Sequence, residues 1–362
     1  MATQRKQISR RGIIFVIVVI ALLAMFIVGL IVFRPGSSEK GVIETTPYAL
    51  DSSASQRFSV MDGDLAVASG GGLQLFDENG SLVQRRAVTM LSPALDTAGS
   101  WAAACDVGGT TLMTMNRKGE TEVRETENAL IAVSVTPDGW LAVASESPGY
   151  RGMVTVYDEK HNVIYEWYSG DDYVIGTALS DDHTLAVLCA GTAGSKVHVF
   201  AMNSETELGV FAAPELICDV FWTDDSHLAA LSEERLSVLD EHAVQESEYA
   251  FSGLHLYDYT TGGDGLAALA LSAYRTGGTC TLVTINSSGK VLAERTVEDV
   301  TGIDAHGKQI LVRTGDTLTL YNQQLEDMRA VQFDQLGVRQ TLLLKNGKAL
   351  LISDYSCSVL EL

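Results

Sequence analysis

Proline is scarce in this 362-residue chain: six residues, against 33 glycines. A fibrous repeat or a disordered low-complexity chain would carry far more, so a packed body is expected. Cysteine is scarce too, and its five copies form neither a CxxC pair nor a cysteine–histidine set at zinc-site spacing. No GxSxG, phosphate loop or GxGxxG occurs; GTAGSK (Gly191 to Lys196) has the wrong spacing and sits between strands. No catalytic residue, metal ligand or cofactor site is therefore assigned. Beyond the N-terminus there is no amphipathic helical stretch. Positive charge is also in short supply: residues 41–362 hold 19 Lys and Arg against 45 Asp and Glu, a net charge of −26. Such a surface is repelled by nucleic-acid phosphates, which excludes a nucleic-acid partner.

The first forty residues reverse that balance. Arg5, Lys6, Arg10 and Arg11 lie in an acid-free opening, followed by Gly12 to Phe33, 22 residues without charge or proline. As a helix this run is about 33 Å long, enough for a hydrocarbon core of about 30 Å. A cleaved signal would have a shorter apolar region and a small-x-small exit, so a retained anchor is expected. The basic flank predicts a cytoplasmic segment at 1–11, a transmembrane helix at 12–33, a linker at 34–39 and an extracellular body at 40–362.

That body repeats. TPDGWLAVAS at Thr136 returns as SDDHTLAVLC at Ser180 and TDDSHLAALS at Thr223. Related apolar runs start at Leu65, Trp101, Leu141, Leu185, Leu228, Leu266, Ile310 and Ala349, spaced 36 to 44 residues apart. Each is followed by a period-two stretch such as GLQLFD or MVTVYD, the sign of a strand with unequal faces. Most of these lead into a hairpin cue such as DENGS, NRKGE or NSSGK, then a further strand. The Asn79 and Asn286 glycosylation patterns fall in these cues and read as turns. Each unit is thus a four-stranded meander, and the chain reads as an all-β, eight-bladed β-propeller, with seven blades as the alternative. The last unit supplies three strands before Leu362, so Lys40 to Leu50 is expected to provide its fourth and close the ring.

The Asp-Gly turn before a Leu-Ala-Val strand resembles the WD-repeat, TolB-like and quinoprotein-like propeller superfamily across Lys40 to Leu362. The GH and WD dipeptides and a tryptophan-docking motif are missing. Together, the short basic N-terminus, single span and acidic propeller resemble a membrane-anchored bacterial family of unknown function, and this resemblance implies location more than activity.

The asparagine- and aspartate-rich turns and the cysteines read as structural. Asp181-Asp182 and Asp224-Asp225 lack the alternate spacing of a calcium loop and fit turns. Cys105 and Cys189 occupy a position where other units carry a small residue, and Cys218, Cys280 and Cys357 fall within strands as small buried apolar groups. Connections between second and third strands look longer in units 2, 3, 4 and 6. Two of them carry a Tyr-Arg pair, Tyr150-Arg151 and Tyr274-Arg275. The segments YSGDDY and FSGLHLYDY, expected on the same face, add Asp171, Asp172, Tyr173, His255 and Tyr257. Tyrosine and arginine combine large contact area with a directional polar end, so these nine residues are the expected partner-binding site. The expected function is a non-enzymatic scaffold or sensor at the outer face of the cytoplasmic membrane, binding an envelope protein or peptide. The alternative is a carbohydrate-binding or hydrolytic propeller acting at the mouth of the axial channel.

Overall fold

The computed structural model describes residues 39–41, 43–44, 48, 50, 55–354 and 356–362. The expected cytoplasmic segment, membrane span and nearly all of the linker lie outside these residues. Among the described residues every regular element is a β-strand. They form six four-stranded sheets and one eight-stranded sheet, and the strands within each meander pair antiparallel. The first meander runs Gln56–Met61, Asp64–Ser69, Gly72–Phe76 and Leu82–Ala87. Four more follow within residues 93–125, 130–168, 173–213 and 217–250.

The eight-stranded sheet arises because Val291–His306 runs 16 residues without a break. Its first part pairs with Gly278–Asn286 and its second with Gln309–Thr314. Two meanders thus share one strand instead of being parted by a loop. The last sheet orders Gln340–Leu343, Lys348–Ile352 and Cys357–Glu361, with Ile43–Glu44 paired to Leu360 and Val359 on its outer side. Nearby, Gly41 donates its N–H to the carbonyl of Gln332, 2.8 Å away, in the preceding meander.

Burial explains the repeated composition. The second strand of each meander is covered on both faces, as in DLAVAS, where all six residues are buried. Small alanines and branched valines let neighbouring sheets approach there. Apolar clusters join one meander to the next. Ala66, Leu75, Ala102 and Met113 pack the first against the second, and Leu311, Leu343 and Leu351 pack the last two. The first and last meet through Leu65, Val67, Leu350 and Val359, with Tyr48 inserted edge-on to Phe76 at 5.5 Å. Each fully buried large side chain contributes about 1.5–3 kcal/mol.

The hairpins between third and outer strands share one device. Asp77, Asn116, Asp158, Asp240 and Asn322 each accept N–H bonds from the residues two and four positions on. The fourth turn residue has positive φ. Gly80, Gly119 and Gly289 occupy it in three turns, and His161, Ala243 and Leu325 take it at φ 56 to 60° in three others. Glycine is needed at Gly289 for a second reason, since a Cβ there would collide with Ser247 Oγ. The paired aspartates behave likewise: Asp224 Oδ1 accepts the N–H groups of Ser226 and His227, both at 2.9 Å.

Candidate functional site

Strand direction alternates in every meander. The second-to-third connections therefore emerge at the same end as the links to the next meander, and the remaining turns emerge at the other end. The first of these ends gathers exposed apolar side chains. Tyr150 is 53% exposed, Tyr173 56%, Tyr274 73% and Leu336 93%, and Leu91 and Leu216 stand out beside them.

Two groups form there. In the first, the loop carrying Tyr150 and Arg151 is tied to the next inner strand: Arg151 N–H donates to Ser169 O at 2.8 Å, and Val174 N–H donates to Arg151 O at 3.1 Å. The Arg151 guanidinium lies 4.8 Å from the Tyr173 ring centre and donates to its hydroxyl at 2.5 Å. Tyr150 rests on Tyr168, ring centres 5.0 Å apart. Asp172 braces the group from the side through Lys196 Nζ at 2.7 Å, which raises the lysine pKa, and its carbonyl accepts from Ser169 Oγ. Asp171 remains exposed.

The second group joins the next two meanders. Arg275 holds Glu233 with two bonds, 3.1 and 2.8 Å, and this pairing lowers the glutamate pKa. Behind them lies a cleft of about 400 Å³ bounded by Glu234, Arg235, Leu254 and His255. Tyr257 lies below the surface, half-buried, its ring filling the space a Cβ on Gly277 would need. Tyr274 projects freely from the same loop. The structure thus gathers Tyr150, Arg151, Asp172 and Tyr173 in one group and His255 and Arg275 in another.

Several participants escape sequence reasoning. Glu233 comes from a connection without any Tyr-Arg cue, Tyr168 opens the YSGDDY segment but is not among the nine expected residues, and Leu91, Leu216 and Leu336 are exposed apolar residues in the links between meanders. The long connection expected in unit 4 is instead a two-residue hairpin, because Leu185–Gly191 and Gly194–Phe200 extend to meet each other. Cys218 is also corrected: it is exposed, its thiol 3.2 Å from the Leu231 carbonyl, because it lies on the less covered side of an inner strand. The other four cysteines are buried, and all five are free.

The inner strands enclose two overlapping cavities of about 570 and 710 Å³ that share Asp96, Thr97, Tyr259, Thr261 and Gly263. Four inner-strand carboxylates were not singled out from the sequence: Asp96, Asp219, Asp258 and Asp304. Each interrupts an apolar strand, as in PALDTA or TGIDAH, and that interruption was the available signal. Burial pushes Asp96 up to about 6 and Asp304 up to about 7, and raises Asp219 and Asp258 as well. Among the described residues no group of three or more His, Cys, Asp or Glu side chains is arranged to hold a metal ion.

This architecture is that of a β-propeller protein. The chain belongs to a family of unknown function, DUF5711, whose model matches residues 39–362. Among solved structures it is similar to Sqt1 of Saccharomyces cerevisiae, with a TM-score of 0.62, 9% identity, and coverage of 90% of this chain and 99% of that one. The Pan2 WD40 domain of Neurospora crassa matches with a TM-score of 0.51 and 12% identity, over 90% and 94% of the two chains. Apo AztD from Citrobacter koseri matches with a TM-score of 0.53 and 11% identity, over 77% and 86%. No curated protein matches by sequence. At these identities the likenesses speak for the fold alone.

Proposed function

We propose that the chain is an eight-bladed propeller held at the outer face of the cytoplasmic membrane by residues 12–33, where it acts as a non-enzymatic scaffold or sensor for an envelope protein or peptide. The eight apolar clusters, each joining successive meanders, support the blade count. The composition of residues 1–33 supports the anchor.

One observation carries the docking role: large apolar side chains are exposed on the loops of one end, with Tyr150, Tyr173 and Tyr274 beside Arg151 and Arg275. The turns of the opposite end are mostly polar, with Val244 the large apolar side chain exposed among the described turn residues there. Exposed tyrosines presented on short, hydrogen-bonded loops lose little side-chain freedom on binding, which is the property of interface anchors. The partner's chemistry follows from charge: a propeller carrying net −26 attracts a segment with Lys or Arg among its apolar residues.

The test is crosslinking in intact cells with identification of neighbours, followed by capture of those neighbours on the purified full chain. Tyr150→Ala with Tyr274→Ala should leave melting within about 2 °C, because both side chains are exposed, and should abolish capture. Undiminished capture by the double variant would remove this face from the account.

A further inference from the structure

Gly209–Ala213, GVFAA, is the outermost strand of its meander and pairs on one side only. A bare edge of this kind invites a further strand, and sheets oppose that with charged side chains along the edge. The outermost strands of the other described meanders all carry Asp, Glu or Arg, as in LVQRRA, TEVRE and QESEYA. GVFAA carries no charge. In an antiparallel ladder every second residue points its N–H and C=O at the neighbouring strand. Leu208 N–H donates to the Val199 carbonyl at 2.7 Å and Gly209 lies opposite Val199, so Phe211 and Ala213 turn inward. The N–H and C=O groups of Val210 and Ala212 therefore point away from the sheet, and both residues are exposed.

We propose that this edge is a strand-addition site for an extended partner segment, apolar along its centre and carrying Lys or Arg at its end. Backbone pairing to Val210 and Ala212 supplies the contact, and the flanking charge selects the sequence. Glu205 and Glu207 lie just before the strand, both exposed, with Glu207 2.8 Å from His198 Nδ1. The nearby cations are already engaged, Lys196 with Asp172 at 2.7 Å and Arg235 with Glu215 at 2.9 Å. Negative charge is thus left at the Gly209 end, where it attracts a basic residue of the partner.

The edge is held ready. Leu208, Phe211 and Ala213 pack into the cluster shared with the next meander, and a Cβ on Gly209 would collide with the His242 carbonyl. A strand fixed in this way loses little freedom when another pairs with it. A second copy of the chain is a poor occupant. Antiparallel self-pairing about Phe211 would set Glu207 against Glu215 and bring together two bodies of net charge −26. The site lies on a strand rather than on the tyrosine-bearing loops, and it does not depend on their role.

A labelled peptide, Lys-Val-Thr-Val-Thr-Val-Lys, titrated onto the full chain in detergent and followed by fluorescence anisotropy tests this. Binding should weaken about tenfold when two adjacent central residues are N-methylated, which blocks both edges of the peptide. Replacing both lysines of the peptide by glutamate should weaken it by about the same factor. At saturation, amide exchange at Val210 and Ala212 should slow about tenfold, with Leu82–Ala87 unchanged. Ala212→Pro removes an outward N–H and no bond of the sheet, so it should abolish binding. Should that variant fail to fold, the N-methylated peptide still decides the matter on the native chain. Tyr150→Ala with Tyr274→Ala should leave the peptide affinity unchanged, which separates this edge from the docking loops. No measurable binding, equal binding of all three peptides, or protection that appears elsewhere would each overturn the proposal. So would loss of binding in the tyrosine variant, or a dimer in which Val210 and Ala212 are protected without peptide.

Discussion

Removing the Tyr48 side chain should weaken the propeller where its two ends meet. Tyr48 is 2% exposed although it belongs to the segment preceding the first meander. Its ring meets Phe76 edge-on and packs among Leu65, Val67, Leu342, Leu350 and Val359, which come from both the first and the last sheets. Burial and nearby acids raise its phenol pKa, so the ring stays neutral at any physiological pH. Truncating a buried aromatic ring costs about 3–5 kcal/mol, combining lost transfer energy with the cavity left behind. In a chain of this size that is a fall of roughly 5–10 °C in melting temperature. Tyr48→Phe retains the ring and should cost less than about 1.5 kcal/mol, so the pair of variants separates packing from hydroxyl effects. Calorimetry or urea unfolding reads both. A loss below about 1 kcal/mol for Tyr48→Ala would mean that the seam is held by strand pairing alone, and the ring-closing role given to this residue would fall.

Two further outcomes follow from the same physics. Because Asp96 and Asp304 have folded-state pKa values above the ordinary carboxylate value, the folded chain binds more protons than the unfolded chain between about pH 4 and pH 7. Stability should therefore decline as pH rises through that window and level off above it. Asp304→Asn should recover about 1–3 kcal/mol at pH 8 and nothing at pH 4, as measured by urea midpoints. In the hairpins, Ala243 has φ 59° whereas Gly289 fills the same turn position at φ 79°. Ala243→Gly should stabilise by up to about 1 kcal/mol, the relieved strain exceeding the contribution of its one buried methyl group, and Gly289→Ala should destabilise by at least about 1–2 kcal/mol, since a Cβ there also meets Ser247. Thermal melting of the two variants in parallel checks the contrast, and equal effects of the same sign would refute it.

Much of the fold was legible because it is local and repeated. LAVAS, LAVLC and LAALS mark strands covered on both faces, and the Asn, Asp and Gly cues between strands set turns whose hydrogen bonds involve only neighbouring residues. The candidate site was legible in part. Tyr150, Arg151 and Tyr173 stand close enough in sequence for one connection and one strand start to unite them, whereas the Tyr168 ring beneath Tyr150 and the Glu233 partner of Arg275 depend on sheet register and on contact between meanders. The two-residue hairpin at Gly191–Gly194 shows the limit of counting spacers, since residues assigned to a loop became the ends of two longer strands.

The sequence by itself determined the all-β class, the repeated meander, the acidic surface and the turn chemistry, because each rests on interactions within a few residues or on composition. Only the tertiary structure decided that Val291–His306 serves two meanders, that Tyr48 fills the seam, and that single aspartates in apolar strands, Asp96, Asp219 and Asp304, line a channel with no lysine or arginine among the described residues of its wall. Those outcomes depend on which surfaces meet around the ring. Such meetings join residues about forty positions apart, or at opposite ends of the chain, where no local pattern records the contact.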